Sequence, residues 1–350
     1  MTHALARPLR RPALIISTVL LATAVLGGCA EVAETSAYRA YAPIPAETLA
    51  LMGERSTTKN APVLIRSYKQ EAELEVWKQR ADGRYALLKT FPMCRWSGQL
   101  GPKVREGDRQ VPEGFYTITP ASMNPNSAYD LSFNIGYPNA YDRALGRTGS
   151  AIMVHGICSS AGCFSMTNTE IEEIYAIVRE AFAGGQRGIQ MQSLPFRMTP
   201  ENLAKHRLDP NAAFWRDLKH GADHFEVTRR ETPVGVCDKR YVFATPATGD
   251  RFDPVSACPP LNEDAEVERS VSARDGRDLA EVVALEAKGV KPVRMVYRDG
   301  GQNPAFARQF AEVSQPEAIE AEPTEVVVGE PPTSTTPARS PGPNARQMGR

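Results

Sequence analysis

The chain has 350 residues, enough for about two domains of ordinary size. Lys and Arg together number 41, as do Asp and Glu, so the formal net charge is zero and the basic excess typical of nucleic-acid binders is missing. Six cysteines are too few for a disulfide scaffold at this length, and none forms a Cys-x-x-Cys pair. We therefore expect function to come from a local site, with no nucleic-acid partner.

The N-terminus has the layout of a secretory signal peptide. Arginines without acidic residues precede an apolar run, Ala13 to Gly28, that is shorter than the about 20 residues a membrane span needs. The run ends in Leu-Gly-Gly-Cys29, which resembles a bacterial lipobox with Cys29 as the lipidated residue. Cleavage nearby and an uncleaved anchor are the alternatives. We expect a protein of the periplasm or cell envelope, with the membrane as a partner through a lipid anchor.

Short β-favouring runs dominate the region after residue 60. Asp82-Gly83 is typical of a hairpin turn between two of them. The runs lie at 63–65, 74–77, 85–88, 114–119, 131–135 and 151–155. This pattern predicts a mostly β fold with a few helices, of the α+β class.

Two helices are predicted in the same region. Thr167 and Glu170 have capping-box spacing, and apolar residues at helical intervals follow as far as Gly184. A second helix is predicted from Asp209, followed by Pro at the first helical position, to Gly221. Beyond these, a helix at 278–288 and a strand at 293–297 are predicted.

The composition divides the chain into five segments. After residue 310 the sequence is rich in Pro, Glu and Thr and lacks the apolar side chains that would offset the entropy of ordering the backbone. The predicted segments are a signal peptide with lipobox (1–28), an envelope linker (29–59), a main domain (60–245), a small C-terminal appendage (246–310) and a disordered tail (311–350).

The apolar run that ends at His155, and the Gly- and Ser-rich loop after it, carry the chemistry. Cys163 follows this loop, just before the capped helix. An imidazole and the positive end of a helix both favour the thiolate, so this position suits a nucleophile. The backbone amides of Ala161, Gly162 and Cys163 are candidates for an oxyanion hole.

The residues alone leave other interpretations of Cys163 open. It could be a small buried apolar residue, it could form a disulfide with Cys158, or it could bind zinc together with Cys158 and His155. Spacing does not choose among these. The remaining cysteines after the signal region allow three pairings, among them Cys94 with Cys158 and Cys237 with Cys258.

The motif around the cysteine resembles that of the L,D-transpeptidase catalytic domain (YkuD) family. The matching residues are His155, Gly156, Ser160, Gly162, Cys163 and Met166. The short loop, and Ala161 where most of the family has a second His, are similar to the YafK-like branch. Further similar runs lie at 94–103, 106–116, 124–127 and 131–139.

This resemblance implies a curled mixed β-sheet for residues 60–245, with Cys163 as nucleophile, His155 as proton acceptor and donor, and no metal or cofactor. It implies a transpeptidase that forms a thioester with the meso-diaminopimelate of a peptidoglycan stem peptide and passes it to an amine, in cell-wall biogenesis and shape. Two alternatives stay open. One is a hydrolase that releases wall-linked peptide or lipoprotein, and the other is a non-catalytic lipoprotein that binds peptidoglycan.

Substrate-binding residues are predicted next to the motif. Arg143 and Arg147 shortly precede the strand that carries His155, and a guanidinium group matches a stem-peptide carboxylate bidentately. A solvated loop arginine is the alternative for both. Ser160 is a further candidate for binding substrate, and Tyr129 and Asn134 are candidates for lining the groove.

Overall fold

A computed structural model describes residues 38–249, 251–306 and 323–329 of the chain. The predicted signal peptide, the predicted lipidation site Cys29 and most of the predicted tail lie outside the described residues. Within the described ranges, no helix is both long enough and apolar enough to cross a membrane.

A five-stranded mixed sheet is the largest sheet of the described chain. It is built from β1 (Val63–Tyr68), β2 (Glu73–Gln79), β3 (Tyr85–Pro92), β4 (Gly114–Ile118) and β9 (Ile189–Leu194). The order is β3-β2-β1-β9-β4, with β1 and β9 parallel and the other neighbours antiparallel. Every residue of β1 and β9 is buried, as expected for central strands covered on both faces.

A smaller four-stranded sheet carries the segment that contains His155 and leads to Cys163. It consists of β5 (Met123–Asn124), β6 (Ser132–Asn134), β7 (Met153–His155) and β8 (Phe164–Ser165), in that order. β7 and β8 are parallel, and the other two pairs are antiparallel. Val154 and Phe164 are fully buried, so this face of the sheet packs into the main core.

Between residues 46 and 287 the described chain forms six α-helices. They are α1 (Ala46–Glu54), α2 (Ala140–Ala144), α3 (Asn168–Ala183), α4 (Pro200–His206), α5 (Ala212–Thr228) and α6 (Ala265–Ala287). The helix predicted after Met166 is confirmed as α3, with its capping box formed between Thr167 and Glu170. The strands predicted before it are confirmed as β1 to β4, β6 and β7. The α+β class is therefore confirmed.

The bounds predicted for α5 are wrong at both ends. The helix begins at Ala212 and continues through Gly221 to Thr228. A Cβ at Gly221 would lie 2.2 Å from the ring of Phe243 and 2.5 Å from that of Phe115. Glycine stands there because two aromatic rings press against the helix, so it does not mark the helix end.

The segment predicted as an envelope linker is partly structured. α1 buries Thr48 and Met52, and the Thr48 hydroxyl donates to the Glu173 carboxylate of α3 at 2.5 Å. Residues 46–54 therefore pack against the domain, which corrects the linker interpretation for that part.

The chain after residue 245 is joined closely to the domain. Two small hairpins, β10 (Gly235–Cys237) with β11 (Arg240–Val242) and β12 (Thr245–Pro246) with β13 (Leu261–Asn262), lead into it. α6 is longer than the predicted helix at 278–288 because it begins at the N-cap Asp264. Gly301 forms a β-bridge with Trp96, so this segment runs along the domain.

The predicted disordered tail contains a strand. β15 (Thr324–Val327) pairs with β14 (Val293–Val296), the strand predicted at 293–297. Val and Thr favour strands, and the partner strand supplies the hydrogen bonds that this short run cannot make alone. The disorder prediction is therefore wrong for these residues.

Two disulfides form, Cys94–Cys158 and Cys237–Cys258. This is one of the three pairings that the sequence left open. The first joins the strand-rich region before β4 to the loop that precedes Cys163.

A buried ion pair fastens α5 to the central sheet. Lys69 and Glu113 are fully buried, with Lys69 Nζ 2.9 Å from Glu113 Oε1. Glu113 also accepts from the Trp215 indole of α5 at 2.8 Å and from the Gly101 amide at 2.7 Å. These contacts satisfy a charge that would otherwise be costly to bury.

We expect Glu113→Gln to lower the free energy of unfolding by about 3 to 5 kcal/mol, because it leaves the Lys69 ammonium buried without a counter-charge. Urea unfolding followed by tryptophan fluorescence measures the change. Glu106→Gln, at an exposed position, is the matched control and should shift stability by less than about 0.5 kcal/mol. Equal stability of the two variants would show that the pair is not a structural support.

Candidate active site

The parallel pairing of β7 and β8 brings His155 and Cys163 to the same face of the small sheet. Val154 pairs with Phe164, and His155 pairs with Ser165. Side chains alternate along a strand, so His155 and Cys163 face away from buried Val154 and Phe164. Both line one cavity of about 500 Å³, within the range of ligand sites.

The His155 ring is fixed in one orientation. Its Nδ1 lies 2.6 Å from the carbonyl oxygen of Gly156. A carbonyl only accepts, so Nδ1 carries the proton and Nε2 of the neutral ring is left as a base. The ring of Tyr129 packs beside it, with 4.8 Å between ring centroids.

Position 156, whose carbonyl accepts from His155 Nδ1, has to be glycine because neighbouring atoms pack closely around it. A Cβ at Gly156 would lie 2.7 Å from Asn168 Oδ1, which accepts from the Ile157 amide at 2.9 Å. The Gly156 carbonyl also accepts from the Ser165 hydroxyl at 3.3 Å. The backbone that orients the imidazole is therefore held from α3 and from β8.

Cys163 is the one cysteine of the described chain outside the two disulfides. Its Sγ accepts from the Met153 amide at 3.4 Å and lies 3.8 Å from the Ala151 carbonyl. Because Cys158 is bonded to Cys94, the alternatives of a Cys158–Cys163 disulfide and of zinc held by both cysteines do not apply.

The expectation of a thiolate favoured by the helix end is not met. β8 separates Cys163 from α3. Burial raises the pKa of the Cys163 thiol, and the Met153 amide opposes this only in part. Burial also lowers the pKa of His155. At rest the two groups are therefore a neutral thiol and a neutral imidazole, and a reaction at sulfur would need a base to take the thiol proton.

Ser160 ties the loop before Cys163 together. Its Oγ donates to the Cys163 carbonyl at 2.7 Å, accepts from the amides of Gly162 at 3.3 Å and of Cys163 at 3.2 Å, and lies 2.9 Å from Ser97 Oγ. The hydroxyl is thus engaged within the protein and positions this loop; Ser160 also lines the cavity, and its binding of substrate stays a prediction.

The same contacts bear on the predicted oxyanion hole. The Gly162 amide points toward Ser160 Oγ, at a distance that marks a weak hydrogen bond. Ala161 is exposed at the cavity wall. Stabilisation of an oxyanion by the amides of Ala161 and Gly162 stays a prediction. For Gly162 it requires that the amide either breaks its hydrogen bond to Ser160 Oγ or donates to both oxygens.

The two arginines predicted to bind substrate lie elsewhere. Arg147 pairs with buried Asp142 at 2.9 Å and packs over the Tyr141 ring. Arg143 donates to the carbonyl of Pro138. Neither arginine lines the Cys163 cavity, because both are bound to residues in or next to α2. Asn134 accepts from the Gly136 amide and does not line the cavity, whereas Tyr129 does.

Arg109 is the cavity arginine that the site prediction missed. Its side chain is 39% exposed at the cavity, and its Nη2 donates to Asp299 Oδ2 at 2.6 Å and to the Ser160 carbonyl at 3.1 Å. Arg95 lies 3.5 Å from the same Asp299 carboxylate. Two guanidinium groups share one carboxylate, so this cluster behind the cavity wall carries a net positive charge. Arg109 lies in the run 106–116 that resembles the family.

The fold and the site define an α+β domain in which a free cysteine and a histidine line one cavity, and comparison with known proteins gives its family. The L,D-transpeptidase catalytic domain (YkuD) model matches residues 76–192. An Escherichia coli K12 protein provisionally named L,D-transpeptidase YafK is 42% identical over 194 residues, which is 55% of this chain and 78% of that protein. The chain belongs to the YkuD L,D-transpeptidase family, in its YafK-like branch. A second YafK sequence, from E. coli O157:H7, matches equally well.

Solved structures give weaker matches. The helical cell shape determining protein Pgp2 from Campylobacter jejuni is 16% identical, with 71% of this chain and 80% of that chain covered and a TM-score of 0.32. Bd1075 from Bdellovibrio bacteriovorus is 22% identical, with coverage of 40% and 51% and a TM-score of 0.28.

The raised thiol pKa predicts the pH dependence of Cys163 alkylation. Only the thiolate reacts with iodoacetamide, and an unperturbed thiol has a pKa of about 8.5. Because the pKa of Cys163 is raised, its alkylation rate should begin to rise at a higher pH than that of an unperturbed thiol. A synthetic peptide of residues 160–166, with the same single cysteine, is the matched control. A midpoint for the protein below that of the peptide would contradict the neutral resting pair.

Proposed function

We propose that this protein is a peptidoglycan L,D-transpeptidase that uses Cys163 as its nucleophile. The observation that carries the proposal is the placement of Cys163 and His155 on one face of the small sheet, both lining the same cavity. Membership of the family supports the reaction class, and the fixed Nδ1 proton of His155 supports its role as base through Nε2.

The first half-reaction is acylation of Cys163. His155 Nε2 takes the thiol proton as sulfur attacks the carbonyl between meso-diaminopimelate and the fourth residue of a stem peptide. The tetrahedral intermediate collapses, the carbon–nitrogen bond breaks, and the imidazolium returns its proton to the leaving amine. The product is a thioester on Cys163 together with the free fourth residue.

The second half-reaction transfers the acyl group. An amine from a second stem peptide or from a wall-linked lipoprotein attacks the thioester, and His155 takes a proton from it. The carbon–sulfur bond breaks, the sulfur regains the proton, and a new amide is formed. Water in place of the amine would give hydrolysis, so the acceptor decides between cross-linking and release.

Arg109 is proposed to hold a carboxylate of the donor. Arg95 and Arg109 share the single charge of Asp299, so a further anion is attracted to this cluster. Stem peptides carry carboxylates at diaminopimelate and at the C-terminus of the stem. We therefore assign to Arg109 the carboxylate-binding role predicted for Arg143 or Arg147.

The cellular setting is also part of the proposal. The signal-like N-terminus and the lipobox-like residues before Cys29 support export to the periplasm or cell envelope and attachment to a membrane through lipid. A substrate in the cell wall fits this location, and a role in wall biogenesis and cell shape follows from it.

Product analysis tests the reaction. Incubating the chain with a disaccharide tetrapeptide and an added amine should give the amine-linked product and the released fourth residue, both read by mass spectrometry. Cys163→Ala should give neither, and His155→Gln should slow the reaction about 100- to 10,000-fold. Hydrolysed tripeptide alone, even with the amine in excess, would reject the transferase and leave a hydrolase.

Arginine variants test substrate binding. Arg109→Ala should lower kcat/KM about 10- to 100-fold, mainly by raising KM, because a hydrogen bond to a charged group contributes about 1.5 to 3 kcal/mol. Arg109→Lys should recover part of the loss. Arg143→Ala removes the same charge outside the cavity and should change kcat/KM less than about threefold. A larger loss of kcat/KM in Arg143→Ala than in Arg109→Ala would show that Arg143 of α2 binds the substrate carboxylate instead.

A further inference from the structure

Two histidines and a glutamate converge where α5 packs against α6. His220 and His224 are one turn apart on α5, and Glu268 comes from α6. Glu268 Oε1 lies 3.0 Å from His224 Nε2, and Oε2 lies 3.6 Å from His220 Nε2. One ligand atom from each residue lies within 4.8 Å of the others, so a single ion can reach all three.

His224 provides an independent indication of a ligand. Its side chain is only 5% exposed, and Nε2 is buried without a hydrogen bond among the described residues. The 3.0 Å approach to Glu268 thus lacks hydrogen-bond geometry. A buried polar atom left unpaired costs about 1 to 3 kcal/mol, and it calls for an explanation in a folded protein. A metal ion between imidazole and carboxylate would satisfy both.

The surroundings suit a cation. His220 and Glu268 line a cavity of about 170 Å³ together with two more acidic residues, Asp217 and Glu263. The Phe243 ring packs against both imidazoles, with centroid distances of 5.4 Å to His220 and 5.7 Å to His224. The acidic side attracts a divalent ion, and the aromatic side limits the motion of the two ligand rings.

We propose that His220, His224 and Glu268 form a binding site for a divalent transition-metal ion, with Zn²⁺ as the preferred ion. Two imidazole nitrogens and one carboxylate oxygen are ligands that zinc takes in tetrahedral sites, and water completes the fourth position. Calcium and magnesium prefer oxygen ligands throughout, which this set does not offer.

The ion would fasten α6 to the domain. The two helices are otherwise joined by ion pairs such as Lys219 with Asp278 at 2.9 Å and Arg274 with Asp223 at 2.9 Å. A shared ion adds direct bonds from both helices to one centre. The site shares no residue with the cavity of Cys163, so it stands independently of the transpeptidase proposal.

Zinc titration of the full chain without an affinity tag tests the site. Calorimetry with ZnCl₂ near neutral pH should give one site per chain, in the wild type and equally in Cys163→Ser, which removes the free thiol of the described chain as a competing ligand. Losing a residue that only hydrogen-bonds to a metal ligand typically weakens metal binding about 10- to 100-fold. Glu268→Gln removes a direct ligand, so it should weaken zinc binding by at least that factor.

Control variants keep the test decisive. Glu281→Gln makes the same charge change at an exposed position of α6 and should leave affinity unchanged. His220→Gln, at a half-exposed ligand, is a second variant in case Glu268→Gln unfolds, and it should weaken zinc binding similarly. Absence of binding, loss of binding in Cys163→Ser alone, or equal affinity in the Glu268 and Glu281 variants would each overturn the proposal.

Discussion

The candidate active site depends on one backbone pairing, the parallel contact between β7 and β8. Adjacent strands are about 4.8 Å apart, so residues near the same level on one face are close neighbours. This pairing sets His155 beside Ser165 and puts Cys163 on the same face. The opposite face, with Val154 and Phe164 fully buried, anchors both short strands in the core. Core packing on one face of the small sheet therefore positions His155 and Cys163 on the opposite face.

Burial shapes how the pair reacts. It raises the pKa of the thiol and lowers that of the imidazole, so neither group carries charge at rest. In the proposed reaction, sulfur becomes nucleophilic only when a substrate is positioned and a proton can move to His155. The loop before Cys163 is held by Ser160, and the C-terminal segment supplies Asp299 to hold Arg109. The chain after residue 245 thus supplies a carboxylate that holds one arginine of the cavity wall.

Local signals in the sequence predicted local structure well. The capping box at Thr167 and the hairpin turn at Asp82-Gly83 depend on residues close in sequence, and both elements form as predicted. The family-like motif identified His155 and Cys163, which line the same cavity. The motif could not reveal their protonation states, because these follow from burial by residues far along the chain.

The predictions that were wrong all failed because contacts between residues far apart in the sequence decide the structure at those positions. Gly221 signals a helix end by propensity, yet it is placed by aromatic rings from elsewhere in the fold. Arg147 precedes the catalytic strand but is bound to Asp142, whereas Arg109 reaches the cavity with the help of Asp299, 190 residues away. β15 needs β14 as a partner, and composition alone could not indicate that pairing.

The most direct test is the mass of the whole protein during turnover. Rapid quenching of the chain with a disaccharide tetrapeptide, followed by intact mass spectrometry, should detect an adduct equal to the donor less its fourth residue, and peptide mapping should place it on Cys163. Cys163→Ala should carry no adduct. Turnover without any adduct on Cys163, or the same adduct in the alanine variant, would contradict nucleophilic catalysis at this sulfur.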